Sequence, residues 1–185
     1  MLKDKFASER RKAKTLNFSI AYGKTNFGLA KDWGVTTKEA TETIDKWYAA
    51  RKEVREWQDN ARSEAAKTLF TTTLLGRKRL VSDMALSGPK AGHAGRTVIN
   101  TPIQGGAADI VAMAMIKIHK NRRLAELGWH MVLQIHDELI MEGPEESSEE
   151  AFQLVKECME SPLARPLLVA LPVDGSIAQT WYEGK

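Results

Sequence analysis

The sequence predicts an α+β chain in two parts, a helical first part and a second part built around an antiparallel hairpin. Three observations carry this expectation. Apolar residues recur at helical spacing through most of the first seventy positions. Two pairs of short β-prone runs lie close enough to fold back on themselves, one around Gly76 and one around His136-Asp137-Glu138. Ser87-Gly88-Pro89 is the clearest break in the chain and sets the expected boundary, giving domains 1–88 and 89–185.

Composition supports a folded chain. Its 185 residues are 43% hydrophobic and 28% charged, enough for a real core, with no repeat or low-complexity tract. No apolar run approaches the length of a membrane span, and the first residues, MLKDKFASERRKAK, are too charged for a signal peptide. A single cysteine, Cys158, excludes an internal disulfide and suits a reducing compartment. The net charge of +3 is too small to establish a nucleic-acid partner. Its distribution says more, because Lys3, Lys5, Arg10, Arg11, Lys12 and Lys14 crowd the start while Glu145, Glu146, Glu149 and Glu150 crowd a later turn.

In chain order, a helix spans 8–23 and stops at Gly23. A short apolar turn through Phe27, Leu29 and Trp33 breaks at Gly34. Thr36 with Glu39 forms a capping-box pattern opening a helix that carries Ile44, Trp47 and Tyr48. A bend at 51–53 leads to another helix through Val54, Trp57 and Ala61. Runs 70–75 and 79–81 pair as a hairpin. Beyond the break, 93–100 is helical until Pro102 stops or kinks it. A second helix over 103–127 is apolar nearly all round and therefore expected to be buried. Strands 131–135 and 139–141 flank His136-Asp137-Glu138. Ser147 and Glu150 cap a helix to about residue 160, and 167–173 reads as an edge strand broken by Pro172.

Two stretches carry candidate chemistry. At 100° per residue, Ala13, Leu16 and Ile20 form an apolar stripe that can seat on a core. Arg10, Lys14, Phe18 and Tyr22, each four apart, form a second row on roughly the opposite side. Cations at one end and rings at the other suit a ligand with phosphates and a base; the same spacing also suits a surface helix with two partly buried aromatics. At the second stretch, the flanks MVLQI and LIM favour burial, yet the tip holds His136, Asp137 and Glu138. Adjacent carboxylates repel unless a cation neutralises them, and such oxygen-rich sites suit Mg²⁺. Taken alone, the tripeptide also reads as an exposed polar turn.

The order R-x3-K-x3-F-x3-Y-G, then RTVINTPIQGGAADI, then QIHDEL resembles the family A DNA polymerases of the bacterial DNA polymerase I type, over nearly the whole chain. The stretches FASERRKAKTLNFSIAYGKT and LGWHMVLQIHDELIMEGP look most like the plant and algal organellar members. The resemblance implies helical fingers over 1–88 and part of a palm over 89–185, and template-directed addition of deoxynucleotides to a primer 3′ end. In that reading Arg10 and Lys14 hold the incoming triphosphate, with Lys14 also catalytic, Phe18 packs on its sugar and base, and Tyr22 abuts the templating position. Arg96, Asn100 and Gln104 contact the template–primer duplex and His136 touches the primer end. Asp137 and Glu138 are catalytic metal ligands for Mg²⁺.

The implied partners are primer–template DNA and deoxynucleoside triphosphates, with no membrane. The implied location is a plastid or mitochondrion, or the cytoplasm if the source is bacterial. One departure stands out. Two-metal phosphoryl transfer clamps the attacking and leaving oxygens between ions roughly 3.5–4 Å apart. The family draws those ligands partly from an aspartate in a D-[YF]-S-Q-[IL]-E pattern, which has no counterpart here; Asp32, Asp83, Asp109 and Asp174 lack its surroundings. The expectation is a C-terminal piece of a polymerase that binds primer–template weakly and does not extend it alone. A non-catalytic nucleic-acid-binding remnant and a metal-dependent phosphohydrolase are the alternatives.

Overall fold

A computed structural model describes residues 5–184, which divide into two compact units after Gly105. The mixed α and antiparallel β content matches the expected class. The Gly88 break is a turn inside the first unit, because the helix that follows it packs on elements that precede it.

The first unit begins with α1 (Ala7–Ala21). This helix is exposed from residue 7 to residue 15 and reaches the core only at Leu16 and Ile20, so Ala13 does not share in the apolar seat. Its partners are α2 (Asn26–Trp33) and α3 (Thr37–Ala49). The segment expected as an apolar turn is therefore a helix, opened by the Thr25 hydroxyl accepting from Gly28 N–H. Leu29, Ala30 and Ala40 form the buried centre, with Leu16, Trp33 and Ile44 packed around them. Each large side chain fully buried in this way contributes about 1.5–3 kcal/mol.

The capping box at α3 is present in full. Thr36 Oγ1 accepts from Glu39 N–H, and Glu39 Oε2 accepts from Thr36 N–H at 2.9 Å. Helix α4 (Lys52–Thr68) follows the break at Arg51. Its inward positions are Val54, Gln58, Ala61 and Ala65, and Trp57 lies toward solvent. Strands β1 (Phe70–Thr72) and β2 (Lys78–Leu80) pair antiparallel as expected. Helix α5 (Pro89–Asn100) buries Ala94, Val98 and Ile99, and Val98 joins Ala65 and Val81 in a second core cluster. From Thr101 to Gly105 the chain winds as a π turn that contains Pro102, whose ring and missing N–H interrupt the α-helical hydrogen-bond ladder.

In the second unit, α6 (Gly106–His119) ends well short of the expected 127. The Asn121 side chain accepts from Arg123 and Leu124 N–H and starts a separate short helix, α7 (Arg122–Glu126). Nor is α6 buried all round: Asp109, Ala114 and Ile118 are buried, but Ile116 is largely exposed. Strands β3 (His130–Ile135) and β4 (Glu138–Glu142) form an antiparallel hairpin with an irregularity between Met131 and Leu133. Leu139 and Met141 pack on Ile118, Leu124, Ala151 and Cys158, together with Leu154 and Val155 of α8 (Ser148–Glu160).

Ser147 precedes α8 but does not cap it with its side chain. Its hydroxyl accepts instead from Trp129 Nε1 at 2.9 Å. The expected strand at 167–173 does not form; this segment lacks a neighbouring ladder, and Leu168 and Val169 face solvent. Among the described residues no helix is long and apolar enough to cross a membrane.

Candidate functional site

The first candidate site lies on α1. Lys14, Phe18 and Tyr22 sit on successive turns and line an open cleft of about 600 Å³ with Thr15, Ser19, Lys24 and Arg96. Phe18 is 49% exposed although it is a large apolar ring. Lys14 Nζ stands 5.8 Å from the Phe18 ring centre, and the Phe18 and Tyr22 rings lie 5.8 Å apart with a 31° tilt. The cleft therefore offers cationic groups beside two adjacent aromatic faces. That combination attracts a phosphate and lets a flat heterocycle stack. Lys24, a cation not singled out in the sequence, lies at the cleft and pairs with Asp32. Arg10 lies on the exposed N-terminal part of the helix, outside the residues lining the cleft.

The geometry of α1 is fixed from its C-terminal end. Gly23 adopts φ +77°, a left-handed conformation that favours glycine. Gly23 N–H donates to Ile20 C=O at 2.9 Å and Lys24 N–H to Ser19 C=O at 2.8 Å, the pattern of a Schellman motif. A Cβ at Gly23 would meet Ile99 Cδ1 at 3.1 Å, so α5 closes directly over this turn. Arg96 follows from that packing, since it lies one turn before Asn100 on α5 and borders both Gly23 and the cleft.

Three side chains missed in the sequence reading brace the helix. Trp47 Nε1 donates to Asn17 Oδ1 at 2.7 Å. The Gln58 amide donates to Ala21 C=O at 3.0 Å and Ile20 C=O at 3.3 Å, while its Oε1 accepts from the Tyr48 hydroxyl at 2.7 Å. Burial pushes the Tyr48 phenol above its usual pKa, against the opposing charges of Arg62 and Arg55. A detectable signal existed: Gln58 interrupts the apolar spacing Val54, Gln58, Ala61, Ala65 of α4.

Of the other residues on α5 and its π turn, Asn100 is partly buried with its side-chain Oδ1 enclosed and unpartnered, whereas Gln104 is exposed. Neither lines the cleft.

The second candidate site is the β3–β4 tip. Ile135 pairs with Glu138, leaving a two-residue turn of His136 and Asp137. His136 has φ +55°, a region costly for a residue with a Cβ. The Gln134 side-chain amide donates to His136 C=O, and Trp181 Nε1 donates to Glu138 Oε1 at 3.3 Å. All three tip residues are exposed. The donor set, two carboxylates in sequence, is of the oxygen type that a hard divalent cation accepts. Among the described residues no group of three or more His, Cys, Asp or Glu converges as a complete metal cage.

Residues 2–183 match the family model described as DNA polymerase family A. The chain is 51% identical, over its whole length, to 18% of the Arabidopsis thaliana protein named DNA polymerase I B, chloroplastic/mitochondrial. It is 42% identical to DNA polymerase I of Geobacillus stearothermophilus, with 98% of this chain and 21% of that protein covered. A solved structure described as the POL domain of Pol1 from M. smegmatis in complex with DNA primer-template and dNTP superposes with a TM-score of 0.88 at 34% identity. That match covers 95% of this chain and 31% of the other. The chain spans about a fifth of the length of the curated relatives it matches.

Proposed function

The chain belongs to DNA polymerase family A, and we propose that it supplies the nucleotide-binding helix and the acidic hairpin of a DNA-directed DNA polymerase. The observation that carries this is the cleft in which Lys14 and Arg96 accompany the rings of Phe18 and Tyr22. We assign residues 1–88 to the fingers and 89–185 to part of the palm, a functional division that falls inside the first compact unit rather than at its end after Gly105. The likeness to plant proteins named for chloroplast and mitochondrion supports an organellar setting.

In this reading the ammonium of Lys14 binds the phosphates of a deoxynucleoside triphosphate, with Arg10 adding charge further along the same row. A charge-assisted contact of this kind is stronger than a neutral one and carries no base preference. Phe18 stacks beneath the sugar and base, and Tyr22 closes the end nearest the template. Stacking tolerates all four bases because each has a π face. Arg96, Asn100 and Gln104 contact the primer–template duplex, whose minor-groove acceptors occur at every base pair. His136 approaches the primer terminus.

Asp137 and Glu138 would hold Mg²⁺, which is bound through one or two carboxylates together with substrate phosphates and water. When bound, the ion supplies charge neutralisation and orientation for phosphoryl transfer. Both carboxylates are exposed, and Glu138 Oε1 also accepts from Trp181 Nε1, while the short hairpin limits how far they can travel.

Titration of the purified chain with each deoxynucleoside triphosphate in Mg²⁺ tests the reading. Lys14→Ala should weaken binding about tenfold for all four, as the loss of one charged contact predicts. A loss confined to one base, or binding indifferent to Lys14→Ala, would overturn the assignment.

A further inference from the structure

We propose that Gln58 is a positioning residue, which locks the last turn of α1 and so sets the orientation of Tyr22 and Phe18 in the cleft. The inference rests on the reading of that cleft as the nucleotide site. It starts from the carbonyls at the end of a helix, which have no partner further along the helix. Tyr22 N–H closes the last regular helical bond on Phe18 C=O, and beyond it Ser19 C=O accepts from Lys24 N–H and Ile20 C=O from Gly23 N–H. The backbone turn thus provides for the carbonyls of Ser19 and Ile20. Ala21 C=O accepts from the Gln58 amide, which also reaches Ile20 C=O.

Gln58 is 1% exposed, so its polar atoms must be matched inside the fold. The two carbonyls fix which end of the carboxamide faces α1: only the NH₂ group can serve them. Its Oε1 then faces away and meets the Tyr48 hydroxyl. Tyr48 is thereby part of the same device, holding the amide in the one orientation that α1 requires. Trp47, its neighbour in sequence, ties Asn17 in the middle of α1. The consecutive pair Trp47-Tyr48 thus acts at two points along one helix, directly at Asn17 and through Gln58 at Ala21.

These ties bear on the cleft because Phe18 follows Asn17 and Tyr22 follows Ala21 in sequence. A rotation of α1 by one-quarter of a residue's 100° would swing both rings relative to Arg96 on α5. An apolar side chain at position 58 could fill the same volume, but it would leave Ala21 C=O without its donor and the terminal turn free to fray.

The test is amide hydrogen exchange on the purified 185-residue chain, paired with titration by 2′-deoxyadenosine triphosphate and Mg²⁺. Gln58→Met keeps the volume and removes both ties, whereas Tyr48→Phe removes only the hydroxyl and is the milder change. Gln58→Met should accelerate exchange at Tyr22, Gly23 and Lys24 by roughly tenfold and Tyr48→Phe by less, with the interior amides of α4 unchanged, because opening is local. Both should raise the dissociation constant for the nucleotide several-fold, Gln58→Met more than Tyr48→Phe.

Faster exchange spread evenly over the first unit, or none at residues 22–24, would overturn the positioning role. So would an unchanged dissociation constant alongside local fraying. If the unmutated chain binds no triphosphate, the nucleotide reading fails and the positioning role in the cleft falls with it; the exchange result then reports separately whether the brace itself exists.

Discussion

The α1 cleft and the β3–β4 tip place charged groups by opposite means. On α1 the side chains that line the cleft project from a helix whose end is closed by a Schellman turn, a buried glutamine and an overlying helix. At the hairpin, His136 and Asp137 form a two-residue turn, with His136 at positive φ, and Glu138 opens the next strand; all three ionisable side chains are exposed. The first arrangement spends polar contacts to hold rings in place. The second carries a positive-φ residue with a Cβ beside two carboxylates that are adjacent in sequence. A stacking surface works only in one orientation, whereas a metal draws flexible carboxylates to itself.

The largest effect should separate function from stability at the tip. In a polymerase carrying this chain, Asp137→Ala should lower primer extension by on the order of a thousandfold, because a metal contact is worth several kcal/mol in the transition state. The melting temperature should hardly move, since the side chain is exposed. Extension that survives the change would remove Asp137 from the chemistry.

The next pair of variants sets the two backbone conformations against each other. Gly23→Ala puts a Cβ on a left-handed residue and against Ile99, and should destabilise the chain by about 1–2 kcal/mol in urea unfolding. His136→Gly relieves the same kind of conformation at the hairpin and should stabilise by a few tenths to about 1 kcal/mol. It should also impair extension if the imidazole meets the primer end. Equal and small stability changes at both positions would show that the two turns are not held differently.

A smaller change is expected at Phe18. Its half-exposed ring can accept a para hydroxyl without burying it, so Phe18→Tyr should leave stability within about 0.5 kcal/mol. Near the sugar's 3′ position the hydroxyl can replace the one that a dideoxynucleotide lacks. Discrimination against such terminators should then fall on the order of fivefold, the worth of one hydrogen bond of about 1 kcal/mol. Clear destabilisation with unchanged selectivity would mean that the ring faces the core.

Acid should act weakly on both units. The Thr36 backbone N–H and hydroxyl hold the Glu39 carboxyl below its usual pKa, and the Arg123 guanidinium does the same for Glu150. A depressed folded pKa adds stability that is complete above the unfolded value of about 4.3 and is lost as pH falls through the folded one. Glu39→Gln and Glu150→Gln should each flatten the pH dependence of unfolding between pH 5 and pH 3, as flagged by the usual carboxylate range. Both groups are solvent-exposed, so the changes should be the smallest of the set.

What the sequence discloses follows the range of the interaction. The Thr36–Glu39 box was legible because both partners lie within one turn, and the two hairpins because their turns and strands are contiguous. The row Arg10, Lys14, Phe18, Tyr22 was legible as spacing, and three of its members line one cleft. Ser147 had the right spacing for a cap, but Trp129 takes its hydroxyl from eighteen residues away. Segment 167–173 had strand propensity without a neighbour to receive its backbone groups. Gln58 stood out only as a polar residue on an apolar stripe, and nothing local says which carbonyls it meets.

That last separation shapes how the chain is made. Gln58 reaches back 37 and 38 residues to Ala21 and Ile20. During synthesis at roughly 5–20 residues per second, α1 leaves the ribosome about 2–8 seconds before its brace does. A fifteen-residue helix is marginal by itself in water. Through that interval Ala21 C=O lacks its side-chain donor, and the last turn of the helix is braced only once residue 58 has emerged.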